Sequence, residues 1–250
     1  MRTIVAITGA SGSLFGIALL KRLPGESYAI LSRWGQHVLR EETGLGREDV
    51  TALAIRLFSD ADLSGPLASG SNRWDAMVVL PCTSSTAGKI ATGIADSLVT
   101  RAAAVTLKEG RRLVLCPRET PLSAVTLRQL ADLARDGVIV MPVSPSFYSH
   151  PASIDDLVAD FVNRVLQVLG VEVAGGWRAA ELEGAPRIER LDPLVVPAYR
   201  AMSPAQRLAT GFETIEFMRE RIRAHLRHQN PDWPGERLES ELAARIRFEL

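Results

Sequence analysis

Short apolar runs alternate with helical patterns through about the first 170 residues of the chain. The runs are rich in β-branched residues and end at glycine, proline or hydroxyl residues, which is typical of buried parallel strands. Five runs are predicted to be strands: Thr3–Thr8, Tyr28–Leu31, Ala76–Leu80, Leu113–Cys116 and Val138–Met141. The alternation predicts a three-layer α/β fold, in which helices cover both faces of a doubly wound, Rossmann-like or flavodoxin-like parallel sheet. Ligands bind such sheets at the carboxyl ends of the strands.

Apolar residues at helical spacing follow most of these runs. The predicted helices begin near Leu14 and cover Trp34–Glu42, Leu98–Leu107, Leu122–Arg135 and Ile154–Leu169. Between about residue 43 and Arg73 the pattern is less regular, and Gly65-Pro66 and Ser69-Gly70-Ser71 interrupt it. No strand is predicted in that interval.

The chain changes character after residue 171, so we expect a domain over residues 1–171 and a linker with a helical extension over 172–250. Pro186–Tyr199 contains several prolines and is predicted to be extended. The apolar pattern then predicts a long helix over Pro204–His228, a break at Asn230–Pro234 and a last helix over Glu236–Leu250. We expect the extension to pack against its own domain or a neighbouring subunit, with recruitment of a partner enzyme as the alternative.

Composition limits the classes of partner and the compartment. Basic and acidic residues number 29 each, so the chain has no overall field that would attract nucleic acid, and anion binding must be local. No leader-like segment precedes the first strand and no apolar run approaches a membrane span, so we expect a soluble, cytoplasmic protein. Cys82 and Cys116 lie in or beside apolar runs, where structural burial is the ordinary role of a cysteine.

The first predicted strand ends in a glycine turn, Gly9–Gly12, that opens a helix. N–H groups at such a helix start favour a phosphate, although a tight connection without any ligand has the same pattern. Ser32 follows the second strand, where a dinucleotide enzyme usually places an acid for the ribose. No Tyr is followed four residues later by the Lys of a short-chain dehydrogenase. Both absences favour a mononucleotide over a nicotinamide dinucleotide.

Polar residues also follow the later strands. A hydroxyl cluster, Thr83–Thr86, comes after the third run and can either cap the next helix or bind a flavin or a phosphate. Arg118 and Glu119 come after the fourth run, and a proline-stiffened loop after the fifth run carries Tyr148. The predicted helices add Arg101, Lys108 and Arg164. The alternative for all these charges is an ordinary solvated surface.

Six motifs spread over about residues 3–170 occur together in one known family. They are GASG at Gly9–Gly12, Pro81-Cys82 with the hydroxyl cluster, TRAAAVTLKE at Thr100–Glu109, LVLCPRETPL at Leu113–Leu122, the Ser146-Phe147-Tyr148 loop and Asn163-Arg164. Together they resemble the UbiX-type flavin prenyltransferases, which are flavoproteins of the phenylacrylic acid decarboxylase-like group. In that family dimethylallyl monophosphate alkylates reduced FMN at N5 and then at C6. The product is a prenylated FMN with a fourth ring, which UbiD-type decarboxylases use.

The resemblance implies two groups of binding residues. FMN would lie among Gly9, Ala10, Ser11, Ser32, Thr83, Ser84, Ser85, Thr86 and Arg118, and the prenyl phosphate among Arg101, Lys108, Tyr148 and Arg164. Glu119 would be the general acid and base, which protonates the phosphate and later helps remove a proton from flavin C6 through Ser11. Cations and a tyrosine hydroxyl would stabilise the departing phosphate without a metal ion. The family commonly forms large symmetric assemblies, so we expect a homo-oligomer with sites shared between subunits.

The sequence departs from the family pattern in three places. Thr83, Ser84 and Ser85 stand before Thr86 where the family commonly has a cysteine, a serine, an aliphatic residue and a lysine or asparagine. Arg112 replaces a frequent proline, and His150 replaces a frequent arginine. Two other interpretations stay open: a flavin-dependent decarboxylase of the cysteine-peptide type, and a catalytically silent FMN-binding accessory subunit of a decarboxylase. Such a decarboxylase needs a catalytic histidine, and none of the four histidines lies in a convincing motif: His37, His150, His225 and His228.

Overall fold

The computed structural model describes residues 1–173 and 196–248. Its sheet has six parallel strands in the spatial order β3-β2-β1-β4-β5-β6. The strands are β1 (Arg2–Ile7), β2 (Glu26–Leu31), β3 (Arg56–Ser59), β4 (Ala76–Cys82), β5 (Arg112–Pro117) and β6 (Ile139–Val140). Helices cover both faces of this sheet, so the predicted doubly wound α/β fold is confirmed.

Seven α-helices belong to residues 1–173. They are α1 (Ser13–Arg22), α2 (Arg33–Thr43), α3 (Arg47–Leu53), α4 (Ser84–Ala91), α5 (Leu98–Lys108), α6 (Ala124–Arg135) and α7 (Ile154–Val168). Alternate side chains of the central strands enter two separate cores, as the two-residue period of a strand requires. On β4, Met77 and Val79 face the core formed with α4, α5 and α6, whereas Val78 and Leu80 face the core formed with α1 and α7.

Two elements lie in the interval where the sequence pattern predicted none. They are helix α3 and strand β3, which follow one another between residues 47 and 59. In β3, which is an edge strand of four residues, Phe58 is buried while Arg56 and Ser59 are exposed. It therefore lacks the continuous apolar run by which a central parallel strand is recognised. The last predicted strand is shorter than expected, because the regular strand contains only Ile139 and Val140.

The sheet changes its direction of growth between β1 and β4. The chain builds outward from β1 through β2 and β3, and outward from β4 through β5 and β6 on the other side. Connections from β1 and β4 leave toward opposite faces, which opens a crevice beyond their carboxyl ends. Thr8 joins the two ends: its N–H and its hydroxyl donate to the Pro81 carbonyl at 3.2 and 2.8 Å, and its Oγ1 accepts the Thr83 N–H at 3.0 Å.

The chain divides into two compact units, Met1–Trp177 and Arg178–Leu250. The helices described in the second unit are α8 (Val196–Ala201), α9 (Pro204–Gln229) and α10 (Gly235–Phe248). Leu226 of α9 packs with Leu238 and Leu242 of α10, and the Arg223 guanidinium pairs with the Glu239 carboxylate at 2.7 Å. Helices α9 and α10 thus form an antiparallel hairpin with a small core of its own.

The extended conformation predicted for Pro186–Tyr199 is wrong for residues 196–199, which are helical, and the rest of that segment lies outside the described residues. Pro197 lies in the first turn of α8, where a proline removes no helical hydrogen bond, and this explains why the proline pattern misled the prediction. Across residues 1–173 and 196–248, no helix has the length and the apolar character to cross a bilayer.

The hydrogen bonds of Thr8 that connect the ends of β1 and β4 form a buried joint between these strands. We expect Thr8→Val to lower the free energy of unfolding by about 1–3 kcal/mol, because the Thr83 N–H loses its acceptor at this joint. Chemical denaturation of the variant and of the wild-type protein measures this difference. Thr8→Ser is the matched control, since it keeps the hydroxyl and should stay close to wild type. Equal stability of Thr8→Val and wild type would contradict the role of this joint.

Candidate active site

Five neighbouring strand ends form one continuous row at the carboxyl edge of the sheet. Hydrogen bonds tie each end to the next: Ser32 N–H donates to the Ile7 carbonyl (3.1 Å), Thr8 joins β1 to β4, Arg118 N–H donates to the Cys82 carbonyl (3.2 Å), and Val143 N–H donates to the Pro117 carbonyl (3.0 Å). The row runs from β2 through β1, β4 and β5 to β6, at the usual spacing of about 4.8 Å between strands. All segments predicted to contact FMN therefore lie along one edge.

The turn after β1 lies directly against the start of α2. A Cβ atom added to Gly9 would be 2.5 Å from the Cβ atom of Trp34, so a larger residue does not fit there. Ser32 caps α2, because its hydroxyl accepts the Gly35 N–H at 2.9 Å. Gly9 and Ser32 are thus adjacent, and the positive end of the α2 dipole is at this edge of the sheet.

A carboxylate from α2 occupies the start of α1. The Glu42 carboxylate accepts the N–H of Gly12 at 3.0 Å, and its Oε2 accepts the N–H and the hydroxyl of Ser13 at 2.9 and 2.7 Å. Ser11 directly precedes these residues, and its side chain also contributes to lowering the pKa of this carboxylate. The sequence pattern indicated that the first N–H groups of α1 could bind a phosphate. In the structure, these groups already donate to an anionic acceptor of the protein itself, the Glu42 carboxylate.

The pKa of Glu42 reflects this environment. Burial favours a higher pKa, but the hydrogen bonds from the Ser13 and Ser11 side chains and from the N–H groups of Gly12 and Ser13 outweigh burial and lower the pKa. The sequence analysis missed Glu42. A signal existed, because α1 begins at Gly12, which has no capping side chain, and its first turn contains no acidic residue. Such a helix start needs an acceptor from elsewhere in the fold.

The hydroxyl cluster after β4 has two separate tasks. Thr83 caps α4, since its Oγ1 accepts the Thr86 N–H at 3.1 Å, so the capping interpretation holds for this residue. Its hydroxyl also donates to the Thr86 Oγ1 at 2.8 Å. Ser84 instead faces the next strand end, where its Oγ lies 3.4 Å from the Glu119 Oε2. Ser85 is exposed at the same helix start.

Arg118 and Glu119 follow β5 and are both exposed in the single chain. The Glu119 Oε1 accepts the N–H of Thr120 at 3.1 Å, so its carboxylate is held on the turn that leads into α6. The predicted acid and base thus lies beside Ser84, whereas Gly12 and Ser13, which follow Ser11, donate to Glu42. Two carboxylates, rather than one, stand along the row of strand ends.

Tyr148 lies in the loop that follows β6, and Arg164 lies on α7, the helix that follows this loop. Tyr148 is half exposed in the loop that follows β6, within a turn that the His150 N–H closes on the Phe147 carbonyl at 3.1 Å. His150 has a φ of 53°, a left-handed conformation that histidine adopts more readily than most side chains. Arg164 lies on the exposed face of α7 and donates to the side chain of Gln167.

Arg101 and Lys108 lie near opposite ends of α5, about 10 Å apart along the helix axis. Arg101 is in the first turn, half-buried, and its Nε donates to the Ala68 carbonyl at 3.0 Å. Lys108 ends the helix, pairs with Glu109 and precedes the amino end of β5. A cavity of about 740 Å³ lies at that amino edge. One chain therefore does not bring Lys108 to the row of strand ends.

The two cysteines are buried and unpaired, as expected for structural residues. Burial raises the pKa of Cys82 to about 12 and also raises the pKa of Cys116. Neither thiol is therefore a nucleophile in the folded chain. In the described parts of the chain, no group of three His, Cys, Asp or Glu side chains is placed to hold a metal ion.

Comparison with family models divides the chain in two. A model described as Flavoprotein matches residues 1–166, and a model described as Rv0078B-related antitoxin matches residues 200–249. The first match covers the sheet with its helices, and the second covers α9 and α10. The helical extension is therefore similar to a family other than the one that the sheet belongs to.

Individual proteins resemble the first of these regions. The flavin prenyltransferase UbiX of Thermoplasma acidophilum is 45% identical over 172 residues, which are 68% of this chain and 96% of that protein. A crystal structure of AnUbiX (PadA1) in complex with FMN and dimethylallyl pyrophosphate is 39% identical, with a TM-score of 0.67 over 71% of this chain and 98% of that one.

A third relative has a reported assembly state. The crystal structure described as a dodecameric FMN-dependent UbiX-like decarboxylase from Escherichia coli O157:H7 is 43% identical, with a TM-score of 0.69 over 71% of this chain and 98% of that one. The fold, the row of strand ends and these sequence identities all indicate the same family. The chain belongs to the Flavoprotein family, and within it to the UbiX-type flavin prenyltransferases.

Proposed function

We propose that this protein is a flavin prenyltransferase that joins the dimethylallyl group of dimethylallyl phosphate to N5 and C6 of reduced FMN. The observation that supports this proposal is the row of five strand ends at the carboxyl edge of the sheet. A glycine turn, hydroxyls, cations and carboxylates follow these strands, around the point where the sheet changes its direction of growth. The product, prenylated FMN, would serve a UbiD-type decarboxylase as its client. The buried, unpaired thiols suit a reducing compartment, and we assign the protein to the cytoplasm.

The residues at the crevice fit a flavin mononucleotide. Gly9 leaves room beside Trp34, and the starts of α2 and α4, capped by Ser32 and Thr83, put two positive helix ends at this edge. Arg118 supplies a cation at the end of β5. We assign Gly9, Ala10, Ser11, Ser32, Thr83, Ser84, Ser85, Thr86 and Arg118 to FMN. When bound, reduced FMN supplies the N5 and C6 atoms that receive the prenyl group.

The prenyl phosphate needs cationic partners, because its negative charge grows as the allylic C–O bond breaks. We assign this stabilisation to Tyr148 in the loop after β6 and Arg164 on α7, together with Arg101 and Lys108 on α5. Lys108 stands at the amino edge of its own sheet, so it would serve the site of another copy. This supports a homo-oligomer with shared sites, in keeping with the dodecameric relative from Escherichia coli.

Two proton transfers are assigned to the two carboxylates. Glu119, beside Ser84, would donate a proton to the departing phosphate. Ser11 would relay the proton that leaves flavin C6, and Glu42 would receive it, because Glu42 accepts hydrogen bonds from Gly12 and Ser13, the two residues that follow Ser11. The lowered pKa keeps the Glu42 carboxylate ionised at neutral pH, although it also reduces the strength of Glu42 as a base. The assignment extends the relay predicted from sequence, in which Glu119 alone was the acid and base.

The purified protein, incubated with reduced FMN and dimethylallyl phosphate, should yield a flavin adduct heavier by one five-carbon unit by mass spectrometry. Glu119→Gln should lower turnover by about a hundredfold or more while FMN still binds, because the general acid is gone. Glu48→Gln, an exposed residue of α3, is the control. Bound FMN without any adduct from the wild-type protein would instead favour the silent accessory subunit.

Arg164→Ala should raise the KM for dimethylallyl phosphate by about tenfold or more, because a phosphate contact from a cation is lost. Steady-state kinetics at saturating FMN measures the change. Arg135→Ala, an exposed arginine of α6, should leave the KM unchanged. An unchanged KM in Arg164→Ala would remove this residue from the phosphate site.

Glu42→Gln should lower both the rate of adduct formation and the stability of the folded protein at neutral pH. The folded-state pKa of Glu42 is depressed, so its stabilising contribution is fully present above the unfolded pKa and disappears as pH falls through the folded pKa. The difference in melting temperature between wild type and Glu42→Gln should therefore shrink from about pH 6 to about pH 3. A difference that does not change with pH would contradict the assignment, and Glu41→Gln is the control.

A further inference from the structure

The loop that carries Tyr148, residues 142–153, is anchored at both of its ends. At the β6 end, the Val143 N–H donates to the Pro117 carbonyl at 3.0 Å. At the α7 end, the Asp156 carboxylate accepts the N–H groups of Ala152 and Ser153 at 3.0 and 2.9 Å. These anchors use backbone groups and a capping box, and they fix where the loop begins and ends. Neither of them reaches the segment around Tyr148.

The middle of the loop is held by one side chain of α7. The hydroxyls of Ser146 and Ser149 both donate to the Oδ2 of Asp160, the first at 3.1 Å. Tyr148 lies between these two serines, within the turn closed by the hydrogen bond from His150 N–H to the Phe147 carbonyl. Asp160 therefore holds the loop by one hydrogen bond on each side of Tyr148.

Asp160 also shares a helix face with Arg164, because residues four apart lie one turn from each other. The Arg164 guanidinium donates to Gln167, while Asp160 Oδ2 accepts the loop hydroxyls. Between these two residues, Phe161 and Val162 are buried in the core that α7 forms with α1. The helix segment is therefore a rigid support.

We propose that Asp160 is a positioning residue, which fastens the Tyr148 loop to the same helix face as Arg164 and so fixes both groups for one prenyl phosphate. The inference rests on the proposed function, since it concerns the orientation of two residues assigned to that phosphate. Hydrogen bonds to a carboxylate are stronger than neutral ones, and two of them converge on one oxygen. A small displacement of a group that holds a reacting substrate is costly to the rate.

The experiment compares five variants of the full-length protein with the wild type, and the fifth combines Asp160→Ala with both serine changes. Asp160→Ala removes the acceptor, Asp160→Asn keeps an oxygen but not the charge, and the double variant Ser146→Ala/Ser149→Ala removes the donors. Asp155→Ala is the matched control, since Asp155 lies on the first turn of the same helix and is exposed. Each protein is characterised by hydrogen exchange over residues 142–153, FMN affinity, melting temperature, and kcat and KM for dimethylallyl phosphate.

We expect faster exchange around residues 146–150 in Asp160→Ala and in the serine double variant, with a KM for dimethylallyl phosphate raised about tenfold. FMN affinity should stay at the wild-type value in both, and Asp160→Asn should restore part of the KM. Combining Asp160→Ala with the serine changes should add nothing further, because all of these changes remove the same contacts. A merely structural role would lower the melting temperature and FMN affinity together without this selective effect.

Unchanged exchange in the loop would overturn the proposal, and so would faster exchange with an unchanged KM. If Asp160→Ala does not fold, the serine double variant decides the question, since it alters only two loop residues, the half-buried Ser146 and the exposed Ser149. If the wild-type protein forms no adduct, the proposed function fails separately. The affinity of dimethylallyl phosphate for the FMN-loaded protein, measured by calorimetry, then replaces the KM, and an affinity unaffected by the serine changes would again overturn the proposal.

Discussion

The hydrogen-bonded joint at Thr8 is the constraint on which the carboxyl edge of this protein depends. It fixes the end of β1 to the end of β4, the two strands between which the sheet reverses its direction of growth. A doubly wound sheet has its crevice at that point, because the connections leave on opposite faces. Every segment proposed to bind FMN lies in the turn after β1 or β4, or in the turn after a neighbouring strand, β2 or β5. The joint therefore sets the spacing of the whole site.

Helix starts explain most of the chemistry along this edge. Helices α1, α2 and α4 all begin there, and each leaves N–H groups that need acceptors. Ser32 and Thr83 satisfy their own helices, whereas α1 takes its acceptor from Glu42 on α2. The capping of α1 thus puts a second carboxylate beside Ser11. Glu42 therefore has two roles: it caps α1, and it is the proton acceptor of the proposed reaction.

The sequence was informative where a pattern is local. Apolar runs and glycine turns predicted the central strands and the carboxyl-edge residues, because burial on both faces of a parallel sheet leaves a continuous signature. The edge strand β3 was not predicted, since Phe58 is the only buried residue in it. The role of Glu42 was not predicted either, because its partner, the start of α1, is about thirty residues away in sequence. Lys108 lies at the opposite edge because it ends α5 just before β5 begins, so its proposed role depends on how copies assemble, which no periodicity encodes.

The most direct measurement is an experimental structure of the assembled protein with reduced FMN and dimethylallyl phosphate. We expect the flavin along the ends of β1, β4 and β5, beside Ser11 and Glu119, with the phosphate between Tyr148 and Arg164. The Lys108 ammonium of a neighbouring copy should also lie at that phosphate. Flavin in the cavity at the amino edge, or a phosphate far from Tyr148 and Arg164, would contradict the proposed site.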